Sequence, residues 1–119
     1  MDTIKELMRL AEKYSNTPII AEGAKDRKAL QQLGFKRIYT LKKSLAAAAE
    51  EFIERLDKNN ECLILTDLDS EGKKLYAKLN SELSQKGAKI NNELRHFLYK
   101  HTKLRQIEGI INYINRRSR

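Results

Sequence analysis

Apolar residues recur along the chain with two different spacings, one typical of amphipathic helices and the other of short buried strands. Helical spacing predicts helices over 2–14, 25–33, 44–56 and from about 71 to 86, followed by two more between 91 and 119. Short apolar runs predict strands at 19–21, 36–39, 62–66 and 88–90. Because strands alternate with helices, we expect a compact α/β fold with about four mostly parallel strands and helices on both faces of the sheet.

The length and composition of the chain indicate one domain. With 119 residues, 40% of them hydrophobic, the chain is long enough for one core but short for two. We therefore expect a single domain over 1–119, with its core at about 17–90, an extra N-terminal helix at 2–14 and a C-terminal helical extension at 91–119. The apolar stripe on 4–14 can pack within that domain or across a homodimer.

The surplus of positive charge indicates that the binding partner is negatively charged. The chain has 24 lysines and arginines against 16 aspartates and glutamates, and the net charge of +8 favours nucleic acid, phosphorylated ligands or an anionic membrane surface. Among these we favour RNA or DNA, although such a surplus can also serve solubility alone. A single cysteine, Cys62, excludes an internal disulfide and, with only two histidines, a structural zinc site. This cysteine usage predicts a reducing, cytoplasmic location, and no apolar stretch reaches the ~20 residues of a membrane helix.

Acidic residues follow two of the predicted strands at the point where each strand ends. Glu22 follows the first strand, and the third is followed at alternate positions by Asp67, Asp69 and Glu71. Ligands of open parallel sheets bind beyond the carboxyl ends of the strands, so these carboxylates converge if the two strands are neighbours. Clustered carboxylates are unfavourable unless a cation neutralises them or their pKa values rise, and an all-oxygen set favours Mg²⁺ or Mn²⁺ over zinc. Alternatively, Asp69 or Ser70 only caps the next helix, and Asp67 lies in a solvated turn.

The two acidic motifs resemble the paired motif of the Toprim family. The first is Glu22-Gly23-Ala24-Lys25-Asp26 after a strand, and the second, about 45 residues on, is Asp67-Leu68-Asp69-Ser70-Glu71-Gly72 after another strand. The resemblance covers roughly residues 17–90 and implies a Toprim-like fold. It also implies that Glu22 is a general acid or base and that Asp67 and Asp69 are metal ligands. Glu71 matches a third acid in the topoisomerase version of the motif.

Within that family the chain is most similar to small stand-alone Toprim proteins and to the ribonuclease that matures small ribosomal RNA. The motif of that ribonuclease similarly reads Leu-Thr-Asp-x-Asp-x-x-Gly. Two features differ, because Leu68 stands where the ribonuclease has proline and Lys73-Lys74 replaces an acidic-basic pair, so the substrate can differ even where the metal chemistry is shared. Gly23 and Gly72 would let a phosphate approach the backbone closely, where amides at the start of the following helix could help to hold it.

Basic residues follow both motifs. Lys25, Arg27 and Lys28 come after Glu22 on the predicted helix, and Lys73 follows Gly72. These side chains could anchor a phosphate backbone, or they could simply form solvated helix faces.

The end of the chain carries a further basic group that could hold RNA or DNA without sequence preference. It consists of Lys100, Lys103, Arg105, Arg116, Arg117 and Arg119. Glu108 is the one acid among them, either a further acid beside the site or simply an exposed residue. Tyr99 and Tyr113 can stack on bases or serve as ordinary core or surface residues.

Other catalytic signatures are absent from the sequence, which has no P-loop, no Gly-x-Ser-x-Gly motif and no credible Cys-His pair. The leading hypothesis is therefore an enzyme, a Mg²⁺-dependent nucleic-acid phosphodiesterase of nuclease or RNA-processing endonuclease type. In it the metal polarises the phosphate and Glu22 transfers a proton. The alternative is a non-catalytic module or adaptor that uses the same metal site and basic surface to bind nucleic acid or a ribonucleoprotein partner.

Overall fold

The sheet of the protein is built from parallel strands. The computed structural model describes residues 2–117, and within them the strands are Ile19–Ala21 (β1), Ile38–Thr40 (β2), Glu61–Ile64 (β3) and Lys89–Ile90 (β4). Their spatial order is β2-β1-β3-β4, and each pairing is parallel. The predicted α/β class with four parallel strands is confirmed.

Helices connect the strands and cover them. In the described part of the chain they are Thr3–Lys13 (α1), Ala24–Leu33 (α2), Leu45–Glu54 (α3), Ser70–Gln85 (α4), Glu93–His101 (α5) and Ile110–Arg117 (α6), with a 3₁₀ turn at Ile107–Gly109. Local signals set several of their ends, because Asp2 accepts a hydrogen bond from the Lys5 N–H at the start of α1 and Ser44 caps α3. Gly34 ends α2 in the left-handed region, with a φ of 109°. None of the helices in residues 2–117 is long and apolar enough to cross a membrane.

Three strands differ from their predicted bounds, and in β4 the difference is that the strand begins at Lys89 and not at residue 88. β2 comprises Ile38–Thr40, whereas the apolar pattern predicted 36–39, and β3 ends at Ile64, whereas the pattern predicted residue 66. The pairing with β1 explains the bounds of β2 and β3, since the three residues of β1 pair with 38–40 of β2 and its first two pair with 63–64 of β3. A strand extends only as far as its neighbour supplies partners, which the apolar pattern of one strand does not reveal.

The side chains of the strands alternate between two cores, one on each face of the sheet. Ile19 and Ala21 point to the face that α1, α2, α5 and α6 cover. Ile20 points to the other face, where it packs with residues of α3 and α4. In β3, Leu63 joins the first core and Ile64 joins the second. The sheet is therefore buried on both faces, as is usual for parallel strands.

The N-terminal and C-terminal helices belong to the first of these cores. Leu7, Leu10 and Ala11 of α1 are buried against the rest of the same chain. Most of the apolar stripe is thus covered within the chain, Met8 being 43% exposed, and the possible homodimer is not supported. From the C-terminal part, Leu98 and Ile107 are fully buried in the same core. The arrangement as a single domain with its core at 17–90 stays a prediction.

Candidate functional site

The strand order reverses beside β1, and the predicted acids lie at that position. The chain continues from β1 to β2 on one side and later places β3 on the other side, so the carboxyl ends of β1 and β3 flank the place where an open parallel sheet binds ligands. Glu22 follows β1 and Asp67 follows β3. The backbone N–H of Asp67 donates to Glu22 Oε2 over 2.7 Å. The structure thus brings together the acids of the two motifs.

Backbone N–H groups orient the two aspartates of the second motif. The N–H of Ile107, at the start of the 3₁₀ turn, donates to Asp67 Oδ1 over 2.8 Å. The N–H of Gly72 donates to Asp69 Oδ1, also over 2.8 Å, and Asp69 is the N-cap of α4. The capping role considered for Asp69 is therefore present in the structure. Asp67, in contrast, is half-buried and does not lie in a solvated turn.

The loop that carries these aspartates is packed against both α4 and α5. The buried hydroxyl of Thr66 donates to the Gly72 carbonyl over 2.7 Å. A Cβ at Gly72 would lie 2.0 Å from the Asp67 carbonyl oxygen, so the close approach of α4 to the loop requires glycine. From α5, Arg95 donates to the carbonyl oxygens of Thr66, over 2.7 Å, and Asp67, over 3.0 Å. These contacts fix the backbone from which the Asp67 carboxylate projects.

The two glycines predicted to lie against a phosphate differ in their surroundings. Gly72 is buried, and its lack of a side chain serves the packing of α4. The space around Gly23 is open, since no other atom lies within 4 Å of the position of a Cβ there. Only Gly23 therefore lies beside space that a ligand can enter.

Burial and mutual repulsion raise the pKa values of the clustered acids. For Glu22 the main cause is burial, and the charges of the nearby aspartates add to it. Burial also raises the pKa of Asp67, and the charges of Asp69 and Glu108 raise it further. The pKa of Asp26 is raised chiefly by burial and in addition by Asp67 and Glu108. A bound cation would reverse this balance, because it favours the ionised carboxylates.

The carboxylate oxygens that remain unpaired fit a hydrated divalent cation. Within residues 2–117, the second carboxylate oxygens of Glu22, Asp67 and Asp69 have no hydrogen-bond partner. In the same residues no group of three or more histidine, cysteine, aspartate or glutamate side chains is arranged to enclose an ion. One or two carboxylates, with water and phosphate completing the shell, are a common arrangement for Mg²⁺.

The structure does not bring Glu71 into this cluster. Its side chain is 83% exposed and pairs with Lys74 on the surface of α4. The alternate spacing that placed Glu71 beside the aspartates applies to extended chain, whereas Glu71 already belongs to the first turn of α4. The arrangement therefore does not support the predicted ligand role of Glu71.

Two grooves with basic residues lie next to the acids. The larger one, of about 590 Å³, lies between the segment 103–109 and α6, and we call it the C-terminal groove; its basic residues are Lys103, Arg105, Arg116 and Arg117. A smaller groove, of about 310 Å³, contains Lys25 and Lys28 of α2. Glu108 lines both grooves and its charge acts on Asp67, so this basic surface adjoins the acidic cluster. Arg119, predicted to extend the basic group, lies outside the described residues.

Lys73 lies on the other side of the second motif, on the exposed surface of α4. Its Nζ donates to the Tyr99 hydroxyl over 2.9 Å and lies 4.2 Å from the centre of that ring. The lysine after Gly72 is therefore joined to a tyrosine of α5 and does not stand alone on a solvated face.

Two residues beside the site, Asp26 and Arg95, had no predicted role. Asp26 is 8% exposed, and its carboxylate accepts a hydrogen bond from the Gly23 N–H over 3.1 Å. Its position three residues after Gly23 is that of a capping box, a signal that could have identified it. Arg95 offered no such signal, because its partners are backbone carbonyls 29 and 28 positions earlier in the chain.

The sequence of the chain is similar to those of known proteins. Residues 17–105 match the model of the Toprim domain, a range that includes both acidic motifs and Arg95. The chain is 32% identical to the UPF0292 protein MJ1624 of Methanocaldococcus jannaschii, covering 98% of this chain and 91% of that protein. It is 30% identical to the UPF0292 protein TV1259 of Thermoplasma volcanium, with 87% of each covered. These relatives do not confirm the similarity to the ribosomal RNA ribonuclease.

A solved structure has the same fold. It is that of a protein from Aquifex aeolicus, with a TM-score of 0.71 and 29% sequence identity, over 91% of this chain and 94% of that chain. The four-stranded parallel sheet with its flanking helices is therefore shared by another protein.

Proposed function

Because the chain belongs to the Toprim domain family, whose members are associated with divalent metal ions and nucleic acid, we propose that it is a Mg²⁺-dependent phosphodiesterase that cleaves RNA or DNA. It would act as a nuclease or as an RNA-processing endonuclease, in keeping with its resemblance to the ribosomal RNA ribonuclease. The observation that carries the proposal is the convergence of Glu22 and Asp67 at the carboxyl ends of β1 and β3, with Asp69 on the same loop.

Asp67 and Asp69 would hold the cation through their unpaired carboxylate oxygens. When bound, Mg²⁺ or Mn²⁺ would polarise a phosphate oxygen and lower the pKa of a bound water. Each aspartate is already oriented by a backbone N–H, from Ile107 for Asp67 and from Gly72 for Asp69. Such fixed carboxylates need little rearrangement to bind an ion.

Glu22 would carry the proton of the reaction. Without a bound cation, burial raises the pKa of this carboxyl, whereas a cation on the neighbouring aspartates would favour its ionised form, which can accept a proton. The Asp67 N–H occupies Oε2. Oε1 is then the atom that would accept a proton from the attacking water or return one to the leaving oxygen.

Basic residues on two sides would position the phosphate backbone. Lys25 and Gly23 lie at the start of α2, Lys73 lies on α4, and Arg116 and Arg117 line the C-terminal groove. Contacts of lysine and arginine with phosphates fix the register of a strand but do not read its sequence. We therefore expect the substrate to be chosen by its structure more than by its sequence.

Cleavage assays test the proposal. Labelled structured RNA, single-stranded DNA and duplex DNA are incubated with the protein in Mg²⁺, in Mn²⁺ or in chelator, and we expect cleavage of at least one substrate only when metal is present. Glu22→Gln should lower cleavage by about a hundredfold or more, because glutamine keeps the shape but cannot exchange a proton. Calorimetry should show that this variant still binds metal. Glu12→Gln, which changes an exposed acid on α1, is the matched control and should retain full activity.

A second candidate function is a non-catalytic module or adaptor that binds metal and nucleic acid. It would use the same acids and the basic C-terminal groove, lined by Arg116 and Arg117, to hold metal and nucleic acid without a hydrolytic step. Metal binding and nucleic-acid binding without cleavage of any substrate would select this function. Full cleavage activity in Glu22→Gln would instead contradict the proton transfer assigned to Glu22.

A further inference from the structure

A pocket with aromatic walls adjoins the second acidic motif, on the side of α4 and α5. It has a volume of about 390 Å³, and its lining includes Leu68, Lys73, Tyr76, Arg95 and Tyr99. Leu68 stands between the two aspartates of the motif. Arg95 binds the carbonyl oxygens of the loop that carries them. The pocket and the acidic cluster are therefore built on the same loop.

Each aromatic side chain of the pocket lies beside a cation. The guanidinium carbon of Arg95 lies 4.6 Å from the ring centre of Tyr76. The ring of Tyr99 lies near two cations, with Lys73 Nζ at 4.2 Å and the guanidinium carbon of Arg105 at 5.1 Å. Tyr99 is also 46% exposed, although large hydrophobic side chains are usually covered. Its ring therefore contacts charged neighbours while about half of the residue stays accessible to solvent.

Exposed tyrosine rings and guanidinium groups are side chains on which a nucleobase can stack. Proteins bind bases of single strands by stacking them on tyrosine rings and on arginine, and such stacking tolerates any base. In a duplex the base faces are already stacked on one another, so only an unpaired base can use such a pocket. Asn92 and His96 also line the pocket and offer hydrogen bonds to the edge of a base.

We propose that this pocket, the tyrosine pocket, binds one unstacked base of a single-stranded RNA or DNA segment whose phosphate lies at the acidic cluster. The inference rests on the proposed function and narrows its substrate to single-stranded segments.

Arg105 favours a strand as the ligand over a free nucleotide. It lies beside Tyr99 of the tyrosine pocket and also lines the C-terminal groove, together with Arg116 and Arg117. The basic surface therefore continues from the pocket into that groove. A strand with one base in the pocket can place its following phosphates along this surface, whereas a free nucleotide would leave it unused.

Binding measured without cleavage tests the tyrosine pocket. The full chain is held in chelator at fixed ionic strength, and fluorescence anisotropy gives its affinity for a single-stranded oligonucleotide, for the duplex of the same sequence and for a single strand with abasic positions. Tyr99→Ala should weaken binding of the intact single strand about tenfold, because the stacking of one base is lost. Binding of the duplex and of the abasic strand should change less than about twofold. Tyr99→Phe keeps the ring and should keep most of the affinity.

Controls separate base binding from other effects. Met8→Ala removes the other exposed large hydrophobic side chain of the described residues, on α1, and should leave all affinities unchanged. A thermal melt checks that Tyr99→Ala remains folded. The tyrosine pocket is refuted if Tyr99→Ala weakens single-strand, duplex and abasic binding equally, if Tyr99→Phe is as weak as Tyr99→Ala, or if neither substitution has an effect.

Failure of the pocket and failure of the proposed function give different results. If no substrate is cleaved in Mg²⁺ but Tyr99→Ala selectively weakens single-strand binding, the proposed hydrolysis is wrong, whereas base binding in the tyrosine pocket is supported. If duplex and single strands are cleaved equally well and Tyr99→Ala changes neither binding nor cleavage, base binding in the tyrosine pocket is wrong, whereas the proposed hydrolysis is supported.

Discussion

Asp26 is the one acidic side chain in residues 2–117 that is almost fully buried. Its carboxylate accepts a hydrogen bond from the Gly23 N–H at the start of α2. Burial raises its pKa, and the charges of Asp67 and Glu108 raise it further. The ionisation of Asp26 therefore depends on the charge of the acids at the site and on any cation bound there.

We expect Asp26→Asn to gain stability relative to the parent protein as the pH rises. An acid whose pKa is raised by folding contributes its full stability below the unfolded value, about 3.8, and loses that contribution as the pH rises through the folded value. Asparagine keeps an acceptor for the Gly23 N–H but cannot ionise. The difference in Tm between Asp26→Asn and the parent, measured in chelator from about pH 3 to about pH 7, should therefore increase.

Glu93→Gln is a control for which the effect of pH on the Tm should have the opposite physical origin, a lowered pKa in place of a raised one. Hydrogen bonds from the Tyr14 hydroxyl and the Lys13 ammonium group hold the pKa of Glu93 below its ordinary value of 4.5. Its contribution is present above that value and is lost as the pH falls. Glu93→Gln should therefore lower the Tm at neutral pH and have less effect in acid. A Tm difference for Asp26→Asn that does not change with pH would show that folding leaves the Asp26 carboxyl unperturbed.

The start of α4 and the loop before it are packed together without room for a side chain. A Cβ at Gly72 would lie 2.0 Å from the Asp67 carbonyl oxygen and 2.8 Å from the Asp67 Cα. The Thr66 hydroxyl and the Asp69 carboxylate each bond the backbone of Gly72 as well. The position of the Asp67 carboxylate therefore depends on how closely α4 approaches.

Gly72→Ala should destabilise the protein by about 1–3 kcal/mol or more, because backbone atoms must move to admit the methyl group. Alanine ordinarily favours a helix over glycine by about 1 kcal/mol, so propensity alone predicts the opposite sign. Gly109→Ala is the control, since its Cβ would lie 3.7 Å from Leu104 Cδ1 in ordinary contact. We expect that variant to stay within about 0.5 kcal/mol of the parent in urea denaturation. Equal stability of the two variants would show that α4 can move away from the loop without cost.

Basic residues from separate parts of the chain surround the acidic cluster, in keeping with the net charge of +8. Arg116 and Arg117 are exposed on α6 and line the C-terminal groove. The guanidinium carbon of Arg117 lies 4.8 Å from the ring centre of Tyr113. This surface would attract a polyanion toward the acids, which alone would repel it.

We expect nucleic-acid binding to weaken steeply with salt, because phosphate contacts release counterions. Arg116→Gln with Arg117→Gln should make the negative slope of log Kobs against log salt shallower, by about 0.7 for each lost contact with a single strand. Lys36→Gln with Lys58→Gln removes the same charge from exposed positions before β2 and β3, at the amino ends of the strands and away from the acids, and should leave the slope unchanged. A flat salt dependence, or equal slopes for the two double variants, would contradict a role for the C-terminal groove.

Features that depend on neighbouring residues could be predicted from the chain alone. Helices follow from amphipathic spacing, their ends from caps such as Ser44 and Gly34, and the α/β class from the alternation of helices with short apolar runs. Connections between parallel strands are almost always right-handed, so few folds are compatible with such a pattern. This is why the fold class could be predicted correctly. The place of Glu22 and Asp67 at strand ends is likewise a local property of the sequence.

Contacts between distant segments could not be predicted from the sequence alone, because they depend on how the strands and helices pack together. That β1 and β3 are neighbours follows from the strand order, which no apolar pattern encodes, and it alone decides that Glu22 meets the Asp67 N–H. The change from extended chain to helix at Ser70 leaves Glu71 in solvent. Arg95 approaches the loop because α5 packs into the first core of the sheet. Such pairings join residues tens of positions apart, and their free energy depends on how all the layers pack together, so local sequence signals do not contain them.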